Sequence, residues 1–174
     1  MADLICGDAE ETHQTGEKPD LTTTSALRLL LDKAATVDEA VSMLAQYNMH
    51  SSIGNSHHLA IADASGKSVV VEYVNNEMVV TETETVTNHY LSAGEKYGVG
   101  NEESHVRFGK LAAMREQAAG VMNAEKVREC MESVSYPEIT QWSIVFDLKN
   151  LEMNFYWQRQ YERSYRFAVG EMKN

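Results

Sequence analysis

Basic residues are scarce in this chain. Against 26 Asp and Glu stand 15 Lys and Arg, a formal net charge of −11 over 174 residues. That balance excludes a nucleic-acid binder, in which Lys and Arg must replace the counterions around phosphate. It also excludes attraction to an anionic membrane surface. No apolar run approaches the roughly 20 residues that span a bilayer. The first residues, Met1 to Asp8, show neither the basic region nor the apolar stretch of a signal peptide. Two cysteines, Cys6 and Cys130, make no disulfide framework. The expectation is a reduced, cytoplasmic protein without membrane contact.

Several chemical signatures are missing as well. Gly94-Glu95-Lys96-Tyr97-Gly98 matches neither a Walker loop nor a dinucleotide loop, and no nucleophile-elbow pattern occurs. The adjacent His57 and His58 would point to opposite faces of a strand, and His13, His50, His89 and His105 show no two-ligand spacing. The expectation is therefore no metal and no cofactor.

What is present is a well-punctuated α+β pattern, read as a single domain over residues 1–174 with no linker at which to split it. Residues 7–20 read as an acidic, exposed loop. Leu27, Leu30, Leu31 and Ala34 then form one apolar stripe of a helix capped by one of Thr22 to Thr24. Thr36-Val37-Asp38-Glu39 is a capping box opening a second helix with Val37, Val41, Leu44 and Ala45 on its stripe. Almost no loop separates the two helices. Asn48 to Ser56 reads as a polar crossing.

A meander follows. Leu59 to Asp63 alternates, Gly66 supplies a turn, and Val69 to Val74 is a β-branched run suited to a strand covered on both faces. Asn75-Asn76 fits a type I′ hairpin turn. Met78 to Thr81 returns, and Thr85-Val86-Thr87 runs on into Asn88. A Gly-containing loop over Ser92 to Glu103 leads to a helix from His105 to about Ala119 with Ser104 as N-cap. Asn123 caps the next helix, whose stripe of Val127, Cys130, Met131 and Val134 makes Cys130 a buried small hydrophobe. Pro137 ends the helical region. Trp142 to Phe146 and Met153 to Trp157 form an aromatic hairpin around Asp147 to Glu152, and Tyr165 to Val169 is expected to be the last strand.

Two residues attract chemical interest. Arg107 shares a helix face with Leu111 and Met114, so its guanidinium is carried inward. Such an arginine more often snorkels to the surface or pairs with a carboxylate such as Glu103 than serves a reaction. Asn88, at a strand end, is more often a turn or cap residue than a functional one.

The stretch Leu21 to Ala40, then His58 to Asp63, Val70 to Tyr73, Val86-Thr87-Asn88, Ser104 to Phe108 and Trp142 to Phe146, in that order and spacing, resembles the choloylglycine hydrolase family. That family includes penicillin V acylases, bile salt hydrolases and related acyltransferases. The resemblance implies an N-terminal nucleophile hydrolase fold, an αββα sandwich that this chain would fill incompletely, with an antiparallel meander, a hairpin and two helix pairs. It implies hydrolysis of linear amides by an amino-terminal Cys whose own α-amine is the base, with Asn groups stabilising the oxyanion. Carried over by motif, Asn88 matches the family's later active-site Asn and Arg107 its later active-site Arg.

The family's Cys, the Arg and Asp that follow it and the first Asn have no counterpart. Gly7 to Asp20 reads as a loop, so Cys6 is placed in a strand upstream of the helix pair and not at a processed amino terminus. The chain is thus expected to represent the later half of such an enzyme, inactive alone. A subunit completed by another polypeptide and a non-catalytic interaction domain are the alternatives. Expected partners are a small-molecule amide in the complete enzyme, and either another copy of the chain or the missing amino-terminal half.

Overall fold

The computed structural model describes residues 1–7 and 10–168. The fold gathers into two compact units, Met1–Phe108 and Gly109–Asn174.

The first unit is built on a four-stranded antiparallel sheet in the order β1-β4-β5-β6, from β1 (Ala2–Ile5), β4 (His57–Ala62), β5 (Ser68–Val74) and β6 (Glu77–Glu82). Asn75 and Asn76 take φ of 51° and 62° between β5 and β6, as a type I′ turn requires. The second of them does more than turn. Its Oδ1 accepts from the His13 amide at 2.8 Å, and its carbonyl accepts from Gln14 Nε2 at 2.7 Å.

Helices α1 (Thr23–Lys33) and α2 (Val37–Leu44) cover one face of this sheet. Thr22 caps α1 by accepting from the Ser25 amide, and the Thr36–Glu39 capping box opens α2. Ala26, Leu30, Val37, Ala40 and Leu44 pack with Leu59, Ile61, Val69, Val71 and Tyr73. The α1 stripe is rotated from the expected one. Thr23, Ala26 and Leu30 are buried and Leu31 is 69% exposed, because the inward face follows Thr23 at i+3 and i+7.

The polar crossing after α2 is not irregular at its start. Asn48–His50 is strand β3, parallel to β2 (Asp20–Thr22). Asn48 is buried because its side-chain amide donates to the Gly16 and Lys18 carbonyls and to Asp20, so a polar side chain is satisfied inside the fold.

β5 is buried on both faces. Val69, Val71 and Tyr73 join the helix-side core, while Val70 and Glu72, pointing to the other face, are fully buried too. Beyond β6 the expected run of strand into Asn88 does not form. Thr83 to Asn101 is loop apart from the single bridge His89↔Gly100, and α3 (Glu102–Gln117) follows.

The second unit contains α4 (Ala124–Ser133), capped by Asn123, and a three-stranded antiparallel sheet of β7 (Trp142–Asp147), β8 (Glu152–Trp157) and β9 (Tyr165–Ala168). The last residue of the expected final strand, Val169, lies outside the described residues. Val145, Tyr156 and Tyr161 pack on Val127 and Met131, and Cys130 is buried on α4, where burial raises its thiol pKa. The other face of this sheet is apolar and open. Trp142, Phe146, Trp157, Tyr165 and Phe167 alternate out from the buried positions, each at least 40% exposed.

Candidate functional site

The site lies in the first unit, on the sheet face away from α1 and α2. His58 on β4 stands directly opposite Glu72 on β5, and both are fully buried. The His58 Nδ1–H donates to Glu72 Oε1 at 3.0 Å, since a carboxylate can only accept. Glu72 also accepts from the Leu91 amide at 2.9 Å, the Ser92 amide at 2.6 Å and the Ser92 hydroxyl. Burial by itself would raise the Glu72 pKa. The hydrogen bonds from His58, Ser92 and the two amides outweigh it and hold the carboxyl below its ordinary value.

These contacts fix the far end of the segment that carries Asn88. The near end is held by Thr87, whose hydroxyl donates to the Ser104 carbonyl at 3.0 Å and accepts from the Ser104 hydroxyl at 3.0 Å. Ser104 is therefore not the expected N-cap. It sits buried inside the first turn of α3 and also meets His89 Nδ1 at 2.9 Å, while the Asn101 side chain accepts from the Ser104 amide at 2.7 Å and takes the capping position. Gly100 is needed here: a Cβ on it would lie 2.4 Å from His89 Cβ and 2.7 Å from the Asn88 carbonyl oxygen.

Pinning the start of α3 to Thr87 brings Arg107, one helical turn past Ser104, back to Asn88. Arg107 donates from Nη2 to Asn88 Oδ1 at 2.9 Å. Asn88 in turn donates from Nδ2 to the Ile5 carbonyl at 2.9 Å. The two candidate residues, 19 positions apart, are thus joined in one relay, guanidinium to carboxamide to a peptide carbonyl. Chemically the arrangement is a polarised donor: a cation on Oδ1 makes the Nδ2 hydrogens more acidic, and they point at an amide oxygen.

Cys6 follows the carbonyl that Asn88 holds. It lies one residue past β1, with its amide donating to the Ser56 carbonyl at 3.0 Å and its carbonyl accepting from the Ser56 hydroxyl at 3.2 Å. Its side chain is wholly buried, and its sulfur, a His58 ring nitrogen and a Glu72 oxygen lie within 4.8 Å of one another. Four donors already fill the four lone-pair positions of Glu72, so its carboxylate is occupied by hydrogen bonds rather than set out as a metal ligand.

Sequence spacing missed two histidine pairs that the fold assembles. His13 and His50 approach to 3.2 Å between Nδ1 atoms, across the bridge joining those residues. The His89 and His105 rings lie 4.2 Å apart at a tilt of 30°, and burial, with His105, His58 and Arg107, lowers the His89 pKa while Glu72 acts against the shift. Glu72 was also missed. A carboxylate inside the run Val70-Val71-Glu72-Tyr73 of a strand covered on both faces was its signal, because a buried charge must be bonded.

Residues 12–162 match the acyl-coenzyme A:6-aminopenicillanic acid acyl-transferase family, and the chain belongs to it. Over 78 residues it is 33% identical to penicillin V acylase of Pectobacterium atrosepticum, a match covering 40% of this chain and 21% of that protein. Its fold is that of a conjugated bile acid hydrolase mutant from Clostridium perfringens, at a TM-score of 0.73 and 14% identity, over 99% of this chain and 70% of that one. It is also that of penicillin V acylase from Agrobacterium tumefaciens, at 0.69 and 19%, over 97% and 62%. The chain thus has the α+β fold of N-terminal nucleophile hydrolases, as the resemblance implied, and it spans only part of these relatives. Among the described residues no helix is long and apolar enough to cross a membrane.

Proposed function

We propose that the chain supplies the carbonyl-holding part of an acyl-transfer site acting on linear, non-peptide amides, of the kind named by the penicillin V acylase and bile acid hydrolase relatives. The observation that carries this reading is the Arg107–Asn88 relay ending on an amide oxygen. The Ile5 carbonyl there stands in for the carbonyl of a substrate amide. Asn88 donates to the oxygen that gains charge when a nucleophile attacks, and Arg107 holds the carboxamide so that Nδ2, not Oδ1, faces it.

On this reading the thiol comes from elsewhere. Cys130 is buried on α4. Cys6 is buried, and its nitrogen is a hydrogen-bonded peptide nitrogen that cannot serve as an amine base. The chain by itself is then inactive. A second polypeptide, or a longer form of this one, brings the sulfur and its amine. The open aromatic face of β7–β9 favours this subunit reading, since a face with Trp142, Trp157 and Phe167 exposed is the type that another copy or a partner chain covers. The proposed compartment is the cytoplasm, in keeping with two cysteines that form no disulfide.

The test is release of amine from penicillin V and from glycine-conjugated bile acids, with this chain alone and with an amino-terminal Cys-bearing segment added. The expected result is no turnover alone, turnover when completed, and a loss of 10²-fold or more, roughly, in completed Asn88→Ala. Turnover by the present chain alone would overturn the inactivity; completed Asn88→Ala retaining full activity would overturn the assignment of Asn88.

A further inference from the structure

We propose that Glu72 is the positioning residue for Asn88: a buried carboxylate that clamps the segment behind the carboxamide donor and so aims Nδ2. The inference rests on the reading of Asn88 given above and deepens it. Glu72 is fully buried on β5, and its hydrogen bonds run to His58, Leu91 and Ser92 rather than to the Asn88 side chain. It acts through the backbone. Its two oxygens take the amides of Leu91 and Ser92 and the Ser92 hydroxyl, three and four residues past Asn88.

Between those anchors and Asn88, Tyr90 is wholly buried and exchanges hydrogen bonds with Val99 and Gly98, and Gly100 leaves no room behind His89. The segment therefore has no slack with which to absorb a shift at Leu91. On the other side Thr87 is tied to Ser104. Asn88 is left as a short span fixed at both ends, which is what holds a long-range donor on a loop to a productive geometry.

A buried carboxylate is an unusual device for this task, and the arrangement explains its choice. A loop crossing a sheet face presents consecutive amides that need acceptors, and only an anion with four lone-pair positions takes two amides, a hydroxyl and an imidazole together. Gln at this position would keep the shape and lose half the acceptor capacity. His58 fills the remaining position from β4, so Glu72 is locked in rotation by its own sheet.

The experiment is heteronuclear NMR of the full chain, following the Asn88 side-chain amide, with Glu72→Gln and Ser92→Ala as variants. Circular dichroism and thermal unfolding report whether each variant folds. The expected result in folded Glu72→Gln is a displaced Asn88 carboxamide signal, together with backbone exchange at Leu91 and Ser92 about tenfold faster. Ser92→Ala removes only the hydroxyl partner, so the same signals move in the same direction by less, and it decides the matter if Glu72→Gln does not fold. Leu91 and Ser92 exchanging faster while the Asn88 carboxamide signal stays in place would overturn the proposal. This readout needs no substrate, so its failure is separable from failure of the amide-hydrolysis reading.

Discussion

The two units solve the problem of covering a sheet differently. In the first, β5 is buried on both faces, one by α1 and α2 and the other by the polar segment that Glu72 ties down. In the second, the sheet of β7–β9 is packed by α4 on one face and leaves Trp142, Phe146, Trp157, Tyr165 and Phe167 open on the other. A strand with both faces covered can carry a buried anion, because every lone pair meets a donor. A sheet with one open face has apolar area left over for association. On the function proposed above, chemistry belongs to the first part of the chain and association to the second.

The contrast is sharpest for one substitution made twice. Val71→Ala, in the eleven-residue core cluster of the first unit, is expected to cost about 2 kcal/mol or more in denaturant unfolding, since the removed methyls leave a cavity with little freedom to collapse. Val145→Ala, in a cluster of three buried residues, should cost about half as much. Equal losses would erase the distinction between a closed and a half-open sheet.

Acid should act mainly on the first unit. The His89 pKa is lowered in the fold, so the unfolded chain binds the proton more readily. Stability is therefore complete above the ordinary value of 6.5 and falls as pH drops through the lower native value. Glu72, also lowered, adds a second loss below its ordinary 4.5, when its four donors lose an anion. Thermal melting from pH 7.5 down to about 2 should show both, and His89→Gln should flatten the first. A melting temperature independent of pH over that range would contradict the assignment of these groups.

A smaller effect is expected at a helix start. Thr36→Ala breaks the capping box of α2 and should cost about 1 kcal/mol by the same denaturant measurement. The smallest belongs to the open face: Phe167→Ser should change monomer stability by under about 0.5 kcal/mol, yet shift sedimentation toward the monomer at micromolar concentration. A destabilisation as large as that of Val71→Ala would mean that this face is already covered within the chain.

Much of the architecture was legible before any coordinates. The Thr36 capping box, the Asn75-Asn76 turn, the Asn123 cap and the aromatic hairpin are local signals in which spacing and chemistry agree, and each element stands where it was read. The misses are non-local. Strand β3 is three residues long and exists because β2 lies beside it, which periodicity does not register. Ser104 looks like an N-cap by its place before a helical pattern, but Thr87 and His89, 17 and 15 residues away in sequence, draw it inside.

The site shows the same division. Asn88 and Arg107 were picked out by motif resemblance while their residue types alone pointed to turn and surface roles. Their meeting depends on the Thr87–Ser104 tie, which no spacing rule contains. Glu72 could have been flagged from sequence as a charge in an apolar strand, though its partners could not.

The turn at Asn75-Asn76 carries one more lesson, for anyone redesigning the chain. Glycine relaxes positive φ more easily than asparagine, so Asn76→Gly looks like an improvement by hairpin rules. Yet the Asn76 carboxamide moors the backbone of His13, and the neighbouring Gln14 is stitched through its amide and side chain to Met49 of β3. A loop tip chosen for its own comfort would cut a mooring line to a strand more than twenty residues away in sequence.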